Sequence, residues 1–215
     1  MTACSFYLVT PIALATGQLP LERFLLQLRE ALSGPHVEAL LLRTAGGEAK
    51  PQEETLKQQI AGCLKLTQAI GIPLVVEGRA DLVQALGCDG VHLSGDKRQV
   101  AAVRQALGPS AIVGAGAWDS RHSAMEAGEA GADYIAFGSF DPEPQSPDAE
   151  LLTWWQELME LPCVAMGGIS LENATTLAEA GADFLALRNA VWNHPKGPLA
   201  AIEAFAEAVD KNAIG

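Results

Sequence analysis

The sequence predicts a (β/α)8 barrel, the TIM-barrel architecture, as a single domain over residues 1–215, on three observations. Short apolar or β-branched runs alternate with longer helical stretches along the whole chain, as parallel pairing through right-handed crossovers requires. A glycine-led phrase recurs as Gly87-Cys-Asp-Gly-Val-His-Leu93, Gly131-Ala-Asp-Tyr-Ile-Ala-Phe137 and Gly181-Ala-Asp-Phe-Leu-Ala-Leu187. Each phrase ends a helix and begins a strand, and glycine suits the left-handed helix stop. These phrases introduce the fourth, sixth and eighth strands, one βαβα unit apart, and 215 residues lie near the compact end of the range for eight units. A doubly wound open sheet uses the same alternation. No Gly-x-Gly-x-x-Gly follows the first strand, however, which disfavours a dinucleotide fold.

In chain order, the first strand is expected at residues 6–10, and a helical pattern over 21–32 leads to the second at 37–43. There Leu40-Leu41-Leu42 is closed by Arg43. A long pattern at 52–70 precedes the third strand, 73–77, which ends in Glu77. The fourth strand, 90–93, puts Gly90 and His92 on one face and Val91 and Leu93 on the other, so the small and polar pair is assigned to the barrel axis. A helix over 98–107 leads to the fifth strand, 111–114, and then to a Gly114-Ala-Gly-Ala-Trp118 loop. A helix over 120–130 precedes the sixth strand at 134–138. The next helix, 149–160, carries Trp154 and Trp155, which read as outer-layer packing. The seventh strand at 163–167, a helix over 171–180, the eighth strand at 184–188 and a last helix over 199–209 complete the series.

Composition narrows the function classes. Hydrophobic residues make up 49% of the chain and charged ones 19%, enough for a sizeable core. The net charge of −12, from 26 acidic and 14 basic residues, argues against nucleic acid, which needs a basic face. It leaves room for a small anionic ligand held by local donors. No apolar run reaches the ~18 residues of a membrane span, and the start Met-Thr-Ala-Cys-Ser lacks the basic opening of a secretory signal. Cys4, Cys63, Cys88 and Cys163 are far apart, with no Cys-x-x-Cys spacing, so neither zinc nor a disulfide framework is expected. The expectation is a reduced, cytoplasmic chain with buried thiols and no membrane partner.

Chemistry in such a barrel lies at the C-terminal ends of the strands. Arg43 and Arg188 each close an apolar strand there. Taken singly each reads as a rim salt bridge; two guanidiniums on one rim, both able to fork onto phosphate oxygens, favour anion binding. Gly167-Gly168-Ile169 follows the seventh strand, and Arg188-Asn189 follows the eighth. Paired glycines allow close backbone approach, and barrels often bind phosphate at these two loops. His92 reads either as a ligand donor or as a satisfied core histidine. His122, at the start of the helix over 120–130, reads either as part of a solvated turn or as a site residue, and Trp118 as a stacking platform for a heteroaromatic ring.

The residues that carry these features also carry a resemblance. Phe6-Tyr-Leu-Val-Thr10, Gly90-Val-His-Leu93, Gly131-Ala-Asp-Tyr-Ile-Ala-Phe-Gly138, and Pro162-Cys-Val-Ala-Met-Gly-Gly-Ile-Ser-Leu-Glu-Asn173 with Gly181-Ala-Asp183 resemble the thiamine-phosphate synthase/TenI family, in order over nearly the whole chain. The resemblance implies a compact barrel in thiamine biosynthesis. Synthase members join a pyrimidine diphosphate to a thiazole phosphate, expelling pyrophosphate with Mg²⁺. TenI members include a metal-independent thiazole tautomerase. Carried over by residue, Arg43 matches the diphosphate-binding arginine, whereas the family's flanking glutamine and lysine are absent from Leu41-Leu42-Arg43-Thr44-Ala45. Glu77-Gly78 stands where the family has Asn-Asp, the aspartate serving Mg²⁺. Ser94-Gly95-Asp96-Lys97 aligns Lys97 with a second metal ligand, so that Lys97 would supply positive charge directly. Gly114-Ala-Gly-Ala-Trp-Asp119 lacks the usual serine or histidine. A hydroxyl and a lysine are replaced by Asp141-Pro-Glu-Pro-Gln-Ser-Pro-Asp148, and a serine by Asn189 beside Arg188. The Gly167-Gly168-Ile169 phosphate loop is kept.

Three readings follow. The first is a divergent member that binds a small phosphorylated ligand related to the thiazole, without a cofactor, with any catalysis being tautomerase-type proton transfer by His122 or His92. The second is a working synthase whose Mg²⁺ site is rebuilt from Asp96 and Glu77. The third is a non-catalytic sensor or partner protein that keeps the barrel for binding. The resemblance also raises the expectation of a homo-oligomer.

Overall fold

Residues 4–44, 52–140 and 143–210 are described by a computed structural model, and in them eight strands alternate with helices. In chain order these are β1 (Ser5–Val9), α1 (Ile12–Ala15), α2 (Leu21–Ala31), β2 (Val37–Leu42), α3 (Glu53–Ile70), β3 (Leu74–Glu77), α4 (Ala80–Leu86), β4 (Gly90–Leu93), α5 (Lys97–Leu107), β5 (Ile112–Trp118), α6 (Arg121–Glu129), β6 (Tyr134–Phe137), α7 (Ala149–Leu158), β7 (Cys163–Ala165), α8 (Ala174–Glu179), β8 (Phe184–Leu187), α9 (Asn189–Trp192) and α10 (Pro198–Asp210). Each strand pairs in parallel with the next, and β8 returns to β1, with Phe6 opposite Leu185. The result is the closed (β/α)8 barrel expected from the sequence. Ala45 and Asp141, weighed in the sequence, lie outside the described residues.

Alternation along each strand sorts the core into two layers. Phe6 and Leu8, Leu40 and Leu42, and Ile135 and Phe137 face the helices. Tyr7, Val9, Leu41, Val75, Tyr134 and Val164 face the axis. The barrel interior is thus packed with side chains, and β4 and β5 make the room for them with glycine. A Cβ at Gly114 would lie 2.0 Å from the Tyr134 ring, so Tyr134 can enter the barrel only because position 114 has no side chain. Trp155 is buried in the outer layer, donating its indole N–H to the Leu161 carbonyl at 2.7 Å. Trp154 is partly buried against the same layer, under the Arg121 guanidinium.

The recurring glycine-led phrase acquires a physical reason. Gly87, Gly131 and Gly181 have φ of 70°, 99° and 103°, the left-handed conformation that ends each preceding helix. Two residues on, the carboxylates of Asp89, Asp133 and Asp183 accept hydrogen bonds from N–H groups at the starts of β3, β5 and β7, those of Leu74 (2.8 Å), Val113 (2.7 Å) and Cys163 (2.8 Å). Each even strand is therefore stapled to the odd strand before it. Asp133 also pairs with Arg104 of α5.

Several elements differ from the sequence expectation. α4 has only seven residues and no side-chain N-cap bond, too little for periodicity to declare it. α1 and α9 are single turns for the same reason. β5 continues to Trp118, so the expected loop at 114–118 is strand. α8 begins three residues late, because Asn173 Oδ1 accepts from the Ser170 N–H (2.9 Å) and holds 170–173 as a turn.

The staples generate a prediction. Replacing Asp183 by Ala leaves the Cys163 N–H, at a buried strand start, without its partner, a loss of about 1–3 kcal/mol. For a chain of this size Asp183→Ala should lower Tm by roughly 3–10 °C, measured by calorimetry. A Tm within one degree of wild type would show that the staple is dispensable.

Candidate functional site

At the C-terminal ends of the strands a cavity of about 260 Å³ opens on the axis, lined among others by Arg43, Glu77, His92, Trp118, Phe140 and Met166. These come from or follow six different strands, which is how a barrel assembles a site from residues remote in sequence.

Arg43 follows β2 and is 95% buried, with 5% of its side chain exposed. Its backbone N–H donates to Thr10 Oγ1 at 2.9 Å, tying the ends of β1 and β2 together. Its Nε donates to Glu77 at 3.2 Å and 3.3 Å from the two carboxylate oxygens. The Thr44 N–H donates to the same carboxylate at 3.2 Å, and Thr44 Oγ1 donates to the Glu77 carbonyl at 2.9 Å. The sequence leaves Arg43 open between a rim salt bridge and anion binding; in the structure it lines the cavity and is paired with Glu77. Phe140, which follows β6, gathers both rim arginines. The Arg43 guanidinium carbon lies 5.3 Å from its ring centroid and that of Arg188 lies 4.5 Å away, distances at which the ring quadrupole attracts each cation.

His92 projects inward from β4, as its register with Gly90 requires. Its Nδ1 is hydrogen-bonded to the Tyr134 hydroxyl at 3.0 Å, and Tyr134 shares a 2.9 Å hydrogen bond with the Tyr7 hydroxyl. The imidazole and the Tyr134 ring are stacked with nearly parallel planes, 13° apart, their centroids 5.7 Å from each other. Burial, reinforced by the Arg43 charge, lowers the His92 pKa to about 4, so the imidazole is neutral at neutral pH. Burial raises the pKa of both tyrosines. His92 is at once a satisfied core histidine and a cavity-lining group. Its Nε2 side faces Gly116, where a Cβ would lie 3.7 Å away.

The two loops expected to hold phosphate follow β7 and β8 at the same end of the barrel, and none of Gly167, Gly168, Ile169, Arg188 and Asn189 is among the residues lining the axial cavity. Gly167 and Gly168 have φ of 81° and 58°. A Cβ on Gly167 would lie 1.9 Å from the Ser139 carbonyl oxygen, so its glycine is required by the protein's own β6–α7 loop. Gly168 is exposed, Ile169 is buried beneath it, and the Asn173 amide donates to the Gly168 carbonyl at 3.0 Å. After β8, the expected Arg188–Asn189 turn is the start of α9, with Arg188 at its cap and Asn189 exposed in its first position. A loop after the seventh strand facing a short extra helix after the eighth is the usual phosphate arrangement of barrels.

Three expected site residues need correction or refinement. Lys97 opens α5 and pairs with Glu126 of α6, because that acid lies across the neighbouring groove; it does not line the axial cavity. His122 is also outside the cavity. Its side chain is 77% exposed on α6, with Nε2 3.6 Å from Glu126, so it belongs to a solvated helix turn. Trp118 is on the rim, 54% exposed, and lines the cavity together with the grooves on either side. Its φ of 59° is strained for a bulky residue, and the β5–β6 register shifts between Gly116 and Trp118; this bulge re-aims the ring.

Sequence reasoning missed Tyr7, Tyr134 and Phe140. The two tyrosines occupy inward positions on period-two strands and were open to detection. Phe140 lies beyond a strand end, where no periodicity applies.

Mg²⁺, implied by the resemblance to synthases, takes carboxylate oxygens. Both oxygens of Glu77 face Arg43 Nε, and Asp96 Oδ1 accepts from the Arg98 and Gln99 N–H groups at 3.0 Å each as the cap of α5. Asp96 also lies in the neighbouring groove. Among the described residues no three His, Cys, Asp or Glu side chains converge as a metal site. The described residues, so engaged, do not fit the ion. No helix of the described residues is long and apolar enough to cross a membrane.

Comparison with known proteins gives one consistent result. The family model described as thiamine monophosphate synthase matches residues 6–191. The thiamine-phosphate synthase of Rhodospirillum centenum is 43% identical over 210 residues, covering 95% of this chain and 97% of its own. That of Hyphomonas neptunium is 44% identical over 204 residues, covering 93% and 90%. Among solved structures, a thiamine phosphate pyrophosphorylase from Pyrococcus furiosus superposes with a TM-score of 0.79 at 25% identity, covering 98% of this chain and 97% of that one.

The His92 environment generates a second prediction. An imidazole with a pKa of about 4 in the folded chain and 6.5 unfolded leaves the unfolded state binding more protons between those values. The associated stability is fully present above pH 6.5 and is lost as pH falls toward 4, ~3 kcal/mol in all. NMR titration should find His92 neutral down to about pH 4, and urea unfolding of His92→Gln should lack this component of the acid dependence. A His92 midpoint near 6.5 would contradict the assignment.

Proposed function

The chain belongs to the thiamine-phosphate synthase/TenI family, and from that premise we propose that it binds the monophosphate ester of a thiazole-type ring at the barrel mouth and acts there by proton transfer, without displacing diphosphate. The observation that carries this reading is the neutral imidazole of His92, held by Tyr134 on the wall of a cavity, with Arg188 against Phe140 of that wall; Gly168 and the start of α9 follow β7 and β8 at the same end of the barrel, outside the cavity lining. Phosphate on that rim meets a guanidinium and backbone N–H groups. Trp118 and Phe140 offer aromatic surface to a ring lying deeper.

Within this reading His92 is the proton-transfer group, and His122, exposed on α6, is set aside. A pKa of about 4 makes the free imidazole a weak base. A phosphate dianion bound nearby stabilises the imidazolium and raises that value toward neutrality, where general-base catalysis is most effective. The ligand thus activates the group that acts on it. The Tyr134 hydroxyl holds the ring by its other nitrogen, leaving Nε2 for the substrate.

Calorimetry with thiazole phosphate and thiamine phosphate tests the binding half. Arg188→Met should weaken binding by roughly 10–100-fold, the loss of a charge-assisted hydrogen bond. His92→Gln should leave affinity within a few-fold and lower thiazole tautomerisation, followed by solvent deuterium exchange, by about 100-fold or more. No heat from either ester with folded protein would end the proposal. Binding without exchange in wild type would leave the sensor reading in its place.

A second reading, the synthase reaction, is favoured by the 43% and 44% identity to proteins named thiamine-phosphate synthase. The commitment of Glu77 and Asp96 to other partners stands against it. Mg²⁺-dependent pyrophosphate release from the two family substrates would establish it and displace the first.

A further inference from the structure

We propose that Tyr134, directed by Tyr7, fixes the His92 imidazole with its proton on Nε2. The barrel then offers its ligand a neutral hydrogen-bond donor and takes one that places an acceptor there; Tyr134 is a positioning residue. This rests on the reading above that a ligand occupies the axial cavity, and adds the chemical class of the ligand group that meets His92. The number of protons decides the tautomer. Burial raises the pKa of both tyrosines, which keep their hydroxyl protons, and neutral His92 carries one N–H. The three side chains therefore hold three protons between them. Two hydrogen bonds link them, Tyr7 Oη with Tyr134 Oη at 2.9 Å and Tyr134 Oη with His92 Nδ1 at 3.0 Å. One proton must point away from these links.

The two ends of the linked set differ. Tyr7 and Tyr134 are buried, and among the described residues neither hydroxyl has a hydrogen-bond partner outside the set. His92 Nε2 likewise has no protein partner among the described residues, but it lies on the cavity wall and faces Gly116. If Tyr7 donates to Tyr134 and Tyr134 donates to Nδ1, both hydroxyl protons are bonded and the surplus proton sits on Nε2, at the cavity. If Nδ1–H donates to Tyr134 instead, the hydroxyl proton of Tyr134 or of Tyr7 is left buried without a protein acceptor. An unsatisfied buried donor makes that arrangement rarer by roughly tenfold to a hundredfold. Acceptance of a proton at Nε2, the base role proposed above, therefore starts from the minor tautomer, and the resting contact with a ligand is donation. A ring nitrogen, a carbonyl or an anionic oxygen of the ligand suits that contact; an N–H or hydroxyl proton aimed at Nε2 does not. Glycine at 116 keeps the approach open. A Cβ there would lie 3.7 Å from Nε2 and 3.6 Å from the Leu93 carbonyl oxygen, ordinary contacts that fill the approach without a clash.

Imidazole nitrogen NMR on the full chain at neutral pH reads the tautomer, with the His92 signals identified by their loss in His92→Gln. Wild type should show a protonated Nε2 and a bare, hydrogen-bonded Nδ1, with less than about a tenth of the other form. Tyr134→Phe, which keeps the ring in the space left by Gly114, should move the Nδ1 resonance to its unbonded position. Tyr7→Phe removes one proton and one link and should leave Nε2 protonated. Thiazole phosphate should shift the Nε2 resonance and leave that nitrogen protonated. Gly116→Ala, with its methyl beside Nε2, should weaken binding of this ester by roughly five- to tenfold, the worth of one neutral hydrogen bond, without changing the tautomer. A protonated Nδ1 in wild type, or comparable amounts of both forms, overturns the proposal whether or not any variant folds, and leaves phosphate-ester binding standing. Bound thiazole phosphate that leaves the Nε2 resonance unmoved overturns the donor role. Absence of binding removes the cavity reading and the ligand half of this proposal with it, while the tautomer of the free protein still decides the other half.

Discussion

The barrel depends on satisfying the ends of its strands, and in three of its four quarters a carboxylate does this. A closed parallel sheet has no edge, but each strand still begins with N–H groups that the ladder does not reach. Asp89, Asp133 and Asp183 meet those of β3, β5 and β7 from the strand that follows. In the first quarter the Phe6 N–H donates instead to the His36 backbone carbonyl at 2.6 Å, and His36 takes a φ of 59° to present it. The register of neighbouring strands is thereby set at the end opposite the cavity. A one-residue slip would turn every inward side chain outward; the staples and the mouth are two ends of one constraint.

Register then decides which residues share the axis. With β4, β5 and β6 held in step, Gly114 lies opposite both His92 and Tyr134, and its missing side chain is the space that the Tyr134 ring occupies. That ring carries its hydroxyl to His92 on one side and Tyr7 on the other. Three polar side chains are buried in the barrel without an ionised member among them, which avoids the desolvation cost of a buried charge. The ionised pair, Arg43 with Glu77, borders them on the cavity wall, Glu77 standing in register with His92. Neutral hydrogen bonds and paired charge thus meet at the cavity, above the apolar packing of the axis.

How much of this was legible in the sequence follows from which signals are local. Eight strands, their order and the inward face of β4 were readable, because period two and the repeated Gly-x-Asp phrase are local signals. Helices α1, α4 and α9 are four to seven residues long and lie below the length at which a helical period can declare itself. Arg43 and Arg188 were placed correctly at strand ends, but nothing near Arg43 in sequence names Glu77, 34 residues away, as its partner. His122 and Lys97 failed as cavity residues for one reason. Position at a helix start says that a residue is near the catalytic face, not which way its side chain turns, and both turn to Glu126.

Net charge and local charge also separate here. A chain with a net charge of −12 repels anions at long range, yet beyond roughly 8–10 Å that field is screened by physiological salt. Among the described residues the charged groups lining the mouth are Arg43 and Glu77, with Arg188 against Phe140 beside them, and His92 is neutral. Anion capture on such a protein must therefore be short-ranged and geometric, through a guanidinium fork and backbone N–H groups rather than through steering. Affinity gained that way depends on the ligand matching a fixed arrangement of donors.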